Sequence, residues 1–143
     1  MFRGRFMHTM DPKGRVSIPV SFRSLLRDDE GRAPILTNLQ HCAALFAHAA
    51  WLEVEDELTR GPAMKPEVQA VQRFMVSGAT ECPIDGAGRI LVPPYLRKHA
   101  ALEKDIVIAG VGKRVELWNS DRFTRDLERT TDNLSAWAQD LRL

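Results

Sequence analysis

Two short stretches carry residue types that can bind a charged partner. One is DPKGRVSIP, Asp11 to Pro19; the other is DGAGRILVP, Asp85 to Pro93. Each sets an aspartate four residues before an arginine, with a glycine directly ahead of the arginine. Aspartate at the head of a turn accepts hydrogen bonds from amides further along it. Glycine at the fourth position, Gly14 or Gly88, reaches positive φ at little cost. The arginine, Arg15 or Arg89, then opens a strand, where its guanidinium can fork onto a phosphate or a base edge. Asp11 and Asp85 would repel phosphate. They are expected to organise the turns through amide hydrogen bonds or to pair with arginine in the other unit.

Other chemistry finds little support. His8, His41, His48 and His99 have no second ligand at i, i+4, and no HExxH is present. GxSxG and GxxxxGK[ST] are absent as well. GVGKR at 110–114 reads as a hairpin turn. Cys42 and Cys82 fit no CxxC spacing and are expected to be packed thiols. No catalytic residue, cofactor, metal or small-molecule substrate is expected.

The chain has 143 residues, 44% of them hydrophobic and 27% charged, which fits one globular domain or two small halves sharing a core. A net charge of +1 does not by itself point to a polyanionic partner. Its distribution does: Arg3, Arg5, Lys13, Arg15, Arg23 and Arg27 face one acid, Asp11, in residues 1–27, while acids gather in EVEDE at 53–57. No run approaches 18 apolar residues, so no membrane span is expected. MFRGRFMHTMD lacks the apolar core of a signal peptide. A cytoplasmic protein is expected.

The two motifs belong to a longer repeat. At an offset of 74, Asp11, Gly14, Arg15, Pro19 and Arg23 match Asp85, Gly88, Arg89, Pro93 and Arg97. At 72, AALFAHAAW (43–51) parallels RVELWNSDRF (114–123), with Phe46 opposite Trp118 and Trp51 opposite Phe123. Two copies of one supersecondary unit imply a pseudo-twofold pair. Each unit reads as a strand (Phe6–Met10, Thr80–Ile84), the turn, a strand ended by proline, a helical turn and a hairpin. The helical turns are Phe22, Leu25 and Leu26, matched by Leu96 and Leu102. The hairpins are PILTNL with ALFA, and DIVIAGV with VELW. Helices are expected on Trp51, Val54 and Leu58, ended by Gly61-Pro62, and on Val68, Val71 and Met75 after Pro66. A final helix capped by Ser120 would carry Phe123, Leu127, Leu134, Ala138 and Leu141 as core or subunit contact.

MFRG, DPKGRVSIP, ECPIDGAGRILVPPYLRKHAAL and VELWNSDRF together resemble the MraZ family of bacterial transcriptional regulators, over essentially the whole chain. The resemblance implies a mainly β fold with helices: an AbrB-like, swapped-hairpin (double-psi-like) β-barrel built from two SpoVT-AbrB-type repeats. The expected organisation is a first repeat at 5–52, a helical connector at 53–78, a second repeat at 79–123 and a C-terminal helix at 124–143. It also implies a ring-shaped homo-oligomer, nucleoid association, and binding of double-stranded DNA at short boxes upstream of the division and cell-wall gene cluster. The family's DxxxR motif falls on Asp11 and Arg15, and on Asp85 and Arg89.

The copies are unequal. Lys13 accompanies Arg15, whereas Ala87 holds its place beside Arg89. The first turn is expected to carry more of the DNA contact, with Arg15, Lys13, Arg89, Arg3 and Arg5 as DNA-binding residues. Asp11, Gly14, Asp85 and Gly88 shape the turns. Arg23 and Arg97 are read as structural or subunit contacts, with DNA contact as the minor reading. The alternative is an antitoxin-like interaction module of the same fold. An ordered, amphipathic C-terminal helix disfavours it, because such antitoxins end in a disordered partner-binding tail.

Overall fold

The computed structural model describes residues 1–62 and 64–142. Its first half runs β1 (Phe2–Thr9), β2 (Arg15–Ser17), α1 (Val20–Leu26), β3 (Ile35–Asn38), β4 (Ala43–Phe46), α2 (His48–Thr59) and α3 (Pro66–Ser77). The second runs β5 (Thr80–Glu81), β6 (Arg89–Leu91), α4 (Pro94–His99), β7 (Asp105–Gly112), β8 (Arg114–Asn119) and α5 (Ser120–Trp137).

Six strands form one antiparallel sheet in the order β1-β7-β8-β4-β3-β5, and β2 pairs with β6 in a separate ribbon. Exchanging β1 with β5, β3 with β7 and β4 with β8 reverses that order and leaves it unchanged. The register obeys the same operation. Phe6 lies opposite Ile108, and Thr80 opposite Leu36. Ala44 faces Glu116 and Val16 faces Ile90, each pair on the pseudo-twofold axis. The sequence repeat is therefore a symmetry of the fold. Each half lends its first strand to the other half's hairpin. The sheet is open, with β1 and β5 at its edges; among the described residues, strand pairing does not close it into a barrel.

Several expected boundaries move. β1 starts at Phe2 rather than Phe6, because the eight residues of β7 give each of residues 2–9 a partner. β5 ends at Glu81 rather than Ile84: β3 offers few partners, and Pro83 has no N–H to donate. Asn119, not Ser120, caps α5, its Oδ1 accepting from the Arg122 amide at 3.0 Å. In the helical turns Phe22 and Leu96 are buried, but Leu25 is exposed, and Ala100 is the equivalent of Leu26.

The main core lies between the sheet and a layer made of the ribbon, α1 and α4. Val16, Ile18, Ile90, Val92, Leu26 and Leu96 are buried there. Phe22 of α1 stands edge-on to Phe2 and Phe6 of β1, with ring centroids 5.4 and 5.1 Å away. Burial of such side chains contributes roughly 1.5–3 kcal/mol each.

On the sheet's other face the repeat shows in a pair of aromatic contacts. Phe46 meets Trp51 at 5.7 Å, and Trp118 meets Phe123 at 5.6 Å. The smaller and larger rings have exchanged places between the copies. Cys42 and Cys82 are buried free thiols, and burial pushes Cys82 up to about 12. α3 departs from expectation. None of its residues is buried, and Val68 and Val71 are exposed. Its C-terminal turn is held by Met75, packed against the cluster of Ile35, Phe46 and Trp51, and by polar bonds from β3: Thr37 Oγ1 donates to Met75 O at 2.7 Å and Asn38 Nδ2 to Phe74 O at 2.9 Å.

Two backbone bonds interlock the halves. The Ile18 amide donates to Gly88 O, and the Val92 amide to Gly14 O, each at 2.9 Å. Beside them, arginine side chains cross between the repeats. Arg23 lies against Gly88, where a Cβ would come within 2.1 Å of its Cζ; Arg97 lies against Gly14, where a Cβ would stand 2.8 Å from its Cζ. Both glycines also have positive φ, +78° and +90°. Gly88→Ala should cost about 1–3 kcal/mol of stability from backbone strain, plus the displacement of Arg23. Gly31, at φ +76° with open space around it, isolates the strain alone. Urea unfolding should show Gly88→Ala below Gly31→Ala, with Arg23→Ala restoring part of the difference. Equal losses at both glycines would remove the close approach from the account.

Candidate nucleic-acid interface

The first turn is built around one carboxylate. Asp11 Oδ1 accepts from the Lys13 and Arg15 amides at 3.0 and 2.8 Å, and Oδ2 accepts from Arg15 Nε at 2.5 Å. The Gly14 amide closes the turn onto Asp11 O at 2.9 Å. The second turn repeats this atom for atom. Asp85 Oδ1 accepts from the Ala87 and Arg89 amides, both at 2.9 Å, and Oδ2 from Arg89 Nε at 3.3 Å. The Gly88 amide donates to Asp85 O at 2.9 Å. Of the two roles expected for the aspartates, turn-building holds; the arginine each one pairs with belongs to its own turn, not to the other unit. The cross-unit arginines, Arg23 and Arg97, pack on the glycines instead.

The arrangement orients the guanidiniums without using them up. Each aspartate engages Nε, and among the described residues the Nη groups of Arg15 and Arg89 have no hydrogen bond or ion pair. In the ribbon, Val16 and Ile90 point into the core, so Arg15, Ser17, Arg89 and Leu91 share the solvent face. Arg15 pairs opposite Leu91 and Ser17 opposite Arg89, which makes the two arginines diagonal neighbours. Lys13 is exposed at the tip of the first turn, where the second has Ala87. Two forked cations and a lysine thus stand on one solvent-facing side of the ribbon and its turns.

Arg3 and Arg5 are not part of that surface. Phe2 and Phe6 turn toward the main core, so the alternate residues of β1 face the side covered by α5. The Arg5 guanidinium stands 5.7 Å from the centroid of Phe123.

A third turn of the same kind is present and was not anticipated. DDEGR, Asp28 to Arg32, repeats the aspartate-glycine-arginine spacing. The signal was visible, but it lies outside the twofold register, in the connection that makes the first copy two residues longer. Here Asp28 takes the Arg32 guanidinium at both ends, Nε at 2.9 Å and Nη2 at 3.0 Å, and its side chain is only 6% exposed. This arginine is committed to its own turn.

The turns have a pH signature. The Arg15 amide, then its side chain, holds the Asp11 carboxyl below the usual value of 3.8; the Arg89 amide does the same for Asp85. The Arg32 side chain draws Asp28 down to about 2. A carboxyl lowered on folding stabilises the native state above its unfolded pKa, and that contribution is lost as pH falls through the folded value. Stability from these groups is therefore complete above about pH 4. It is lost between there and about 2 for Asp28. Asp28→Asn should flatten the acid limb of a stability–pH profile followed by circular dichroism, and more so than Asp85→Asn. An acid limb identical to the parent's would remove the carboxylate from the linkage.

Comparison with known proteins accords with this geometry. The family model described as "MraZ protein, putative antitoxin-like" matches residues 1–74 and again 75–142. A transcriptional regulator MraZ of Heliobacterium modesticaldum is 41% identical over 142 residues, spanning 99% of this chain and 96% of its own length. The protein of that name from Solidesulfovibrio magneticus is 38% identical over 138 residues, 95% of this chain and 91% of its own. One from Moorella thermoacetica is 39% identical over 140 residues, 97% and 95% respectively. With both repeats matched and relatives aligned end to end, the chain belongs to the MraZ family.

Proposed function

We propose that the protein is a sequence-specific, DNA-binding transcriptional regulator that works from the cytoplasm on the nucleoid. The observation that carries the reading is the ribbon face. Arg15 and Arg89 stand diagonally across it, each aimed by its own aspartate, with no partner on either pair of Nη groups among the described residues. A forked guanidinium held in place is suited to the paired acceptors of a guanine edge or to a phosphate. Lys13 adds a point charge for the backbone. Arg3 and Arg5 strengthen the field around the protein and do not join the contact surface. The relatives' printed name, transcriptional regulator, supports the same reading.

The two repeats act as one interlocked unit of the swapped-hairpin, AbrB-like kind, a reading supported by the reciprocal Ile18–Gly88 and Val92–Gly14 bonds. One ribbon offers few contacts, so copies act together in a ring-shaped homo-oligomer. Uncovered apolar side chains on α3 (Val68, Val71, Phe74) and near the end of the chain (Leu134, Trp137) are surface for such assembly. Linked sites raise the effective concentration for neighbouring boxes. The targets are short repeated boxes in the promoter of the division and cell-wall cluster that includes the protein's own gene.

Arg15→Ala should weaken operator binding by about 1–3 kcal/mol per protomer and relax discrimination against random DNA. A mobility shift beside Arg89→Ala, with folding checked by circular dichroism, reads this out. Parent-like binding by folded Arg15→Ala would take it out of the interface. Boxes should recur about one helical turn apart, so that inserting half a turn weakens binding sharply. Affinity nearly independent of salt, together with capture of a protein ligand, would favour the antitoxin-like interaction module.

A further inference from the structure

We infer that Arg27, carried by the first repeat, supplies the backbone-phosphate contact that the second repeat's turn lacks in its own sequence, in a cleft between that turn and the third one. The inference rests on the DNA-binding reading and assigns a residue and a site to it.

The cleft holds about 410 Å³ and runs between the end of α1, the turn at Asp28–Arg32 and the turn at Asp85–Gly88. Its charges sort themselves by partner. Arg32 is taken at both ends by Asp28. Asp85 is occupied by two amides and by Arg89. Arg23 gives Nε to Ile18 O at 2.8 Å and lays its guanidinium against Gly88, which brings an uncompensated charge to the floor of the cleft. Arg27 is exposed at the rim; its amide donates to Ser24 O, and among the described residues its guanidinium has no hydrogen bond or ion pair. Two cations are therefore left without counter-charge, in a hollow large enough for a phosphate.

The pseudo-twofold supplies an internal control. The corresponding space beside the first turn is lined by Asp11, which Arg15 occupies, with Glu103 and Lys104 on one side, and by Arg97, Lys98 and Glu103 on the other. Position 101, which the offset of 74 places opposite Arg27, is alanine. So the first turn carries its extra cation within itself, as Lys13; Arg97 stands on Gly14 as Arg23 stands on Gly88, Lys98 lines the adjoining hollow beside Glu103, and the position equivalent to Arg27 holds no cation. The second turn has Ala87 within and Arg27 at the flank. The interlocked fold brings that arginine across from the other repeat. The third turn, pinned by the Asp28–Arg32 fork, fixes the chain directly after Arg27 and so limits where its side chain can reach. A cation that meets phosphate in this way positions DNA without reading its sequence.

The test measures the affinity of the full chain for a random-sequence duplex by fluorescence anisotropy, over a series of potassium chloride concentrations. Each phosphate contact contributes about −0.9 to the slope of log affinity against log salt. Arg27→Ala should make the slope shallower by about that amount per engaged protomer, and Arg27→Lys should keep it. Adding Ala87→Lys to Arg27→Ala should restore it, because the lysine then occupies the place that Lys13 has in the first turn. Arg60→Ala, at an exposed arginine paired with Asp56 on α2, should change nothing. A parent slope retained by folded Arg27→Ala overturns the inference and leaves the DNA-binding reading standing. A parent whose affinity ignores salt overturns both. Inorganic phosphate, titrated by ³¹P line broadening, separates the two sources of the anion. Arg27-dependent phosphate binding that the duplex displaces supports the DNA contact, whereas binding that the duplex leaves untouched assigns the cleft to free phosphate and overturns it.

Discussion

Two hydrogen bonds hold the arrangement on which everything else depends: the Ile18 amide to Gly88 O and the Val92 amide to Gly14 O. Each reaches from one repeat into the turn of the other, just before the proline that ends the strand. Neither turn can shift without the other repeat's strand shifting too. The β2–β6 ribbon is only three residues per strand, too short to be stable alone. Its stability comes from Val16 and Ile90 packed into the shared core and from these reciprocal bonds. The glycines are required twice over, by positive φ and by the arginine that lies on them. An alanine at either position would meet a guanidinium before it met strain relief.

Rigidity at the turns has a functional consequence. A guanidinium on a long side chain loses rotamer freedom when it binds, and that loss subtracts from affinity. Here the aspartate has already restricted Arg15 and Arg89, through a bond that leaves the outer edge of the fork open. The comparison within the molecule is instructive. At Asp28 the same aspartate-glycine-arginine spacing gives a two-ended fork, and the arginine becomes part of the scaffold. Motif spacing alone does not distinguish a presenting turn from a structural one. How many of the guanidinium's atoms the aspartate occupies does.

The symmetry is close in the backbone and broken in the charges. Strand order, register, turn bonds and the aromatic pairs on the far side of the sheet all obey it. Lys13 against Ala87, and Arg27 against alanine at 101, do not. Departures at exposed positions cost the shared core nothing, so charge is free to differ where packing is not. The result is a rigid, nearly twofold platform whose two turns carry different charge.

Much of this was legible in the chain itself, for a physical reason. Turn chemistry is local: Asp, Gly and Arg at fixed offsets define their own hydrogen bonds, and both turns formed as their residues dictate. The repeat, the hairpins and the Phe46–Trp51 and Trp118–Phe123 equivalence were likewise written in spacing. What the sequence could not state was which element pairs with which over long separations. The exchange of β1 and β5 between halves, the open six-stranded sheet and the crossing of Arg23 and Arg97 onto the opposite glycines depend on a register set by the packed core. The same holds for sides of the molecule. Arg3 and Arg5 adjoin the first turn in sequence, yet strand alternation sends them to the α5 face, where Arg5 meets Phe123. Of the apolar stripe on α3 only Met75 reaches a core cluster; β3 holds that last turn through polar bonds as well, and Val68 and Val71 stay outside. Local hydrogen-bonding chemistry was fixed by residue type; neighbours, faces and exposure were decided only when distant segments competed for the same buried surface.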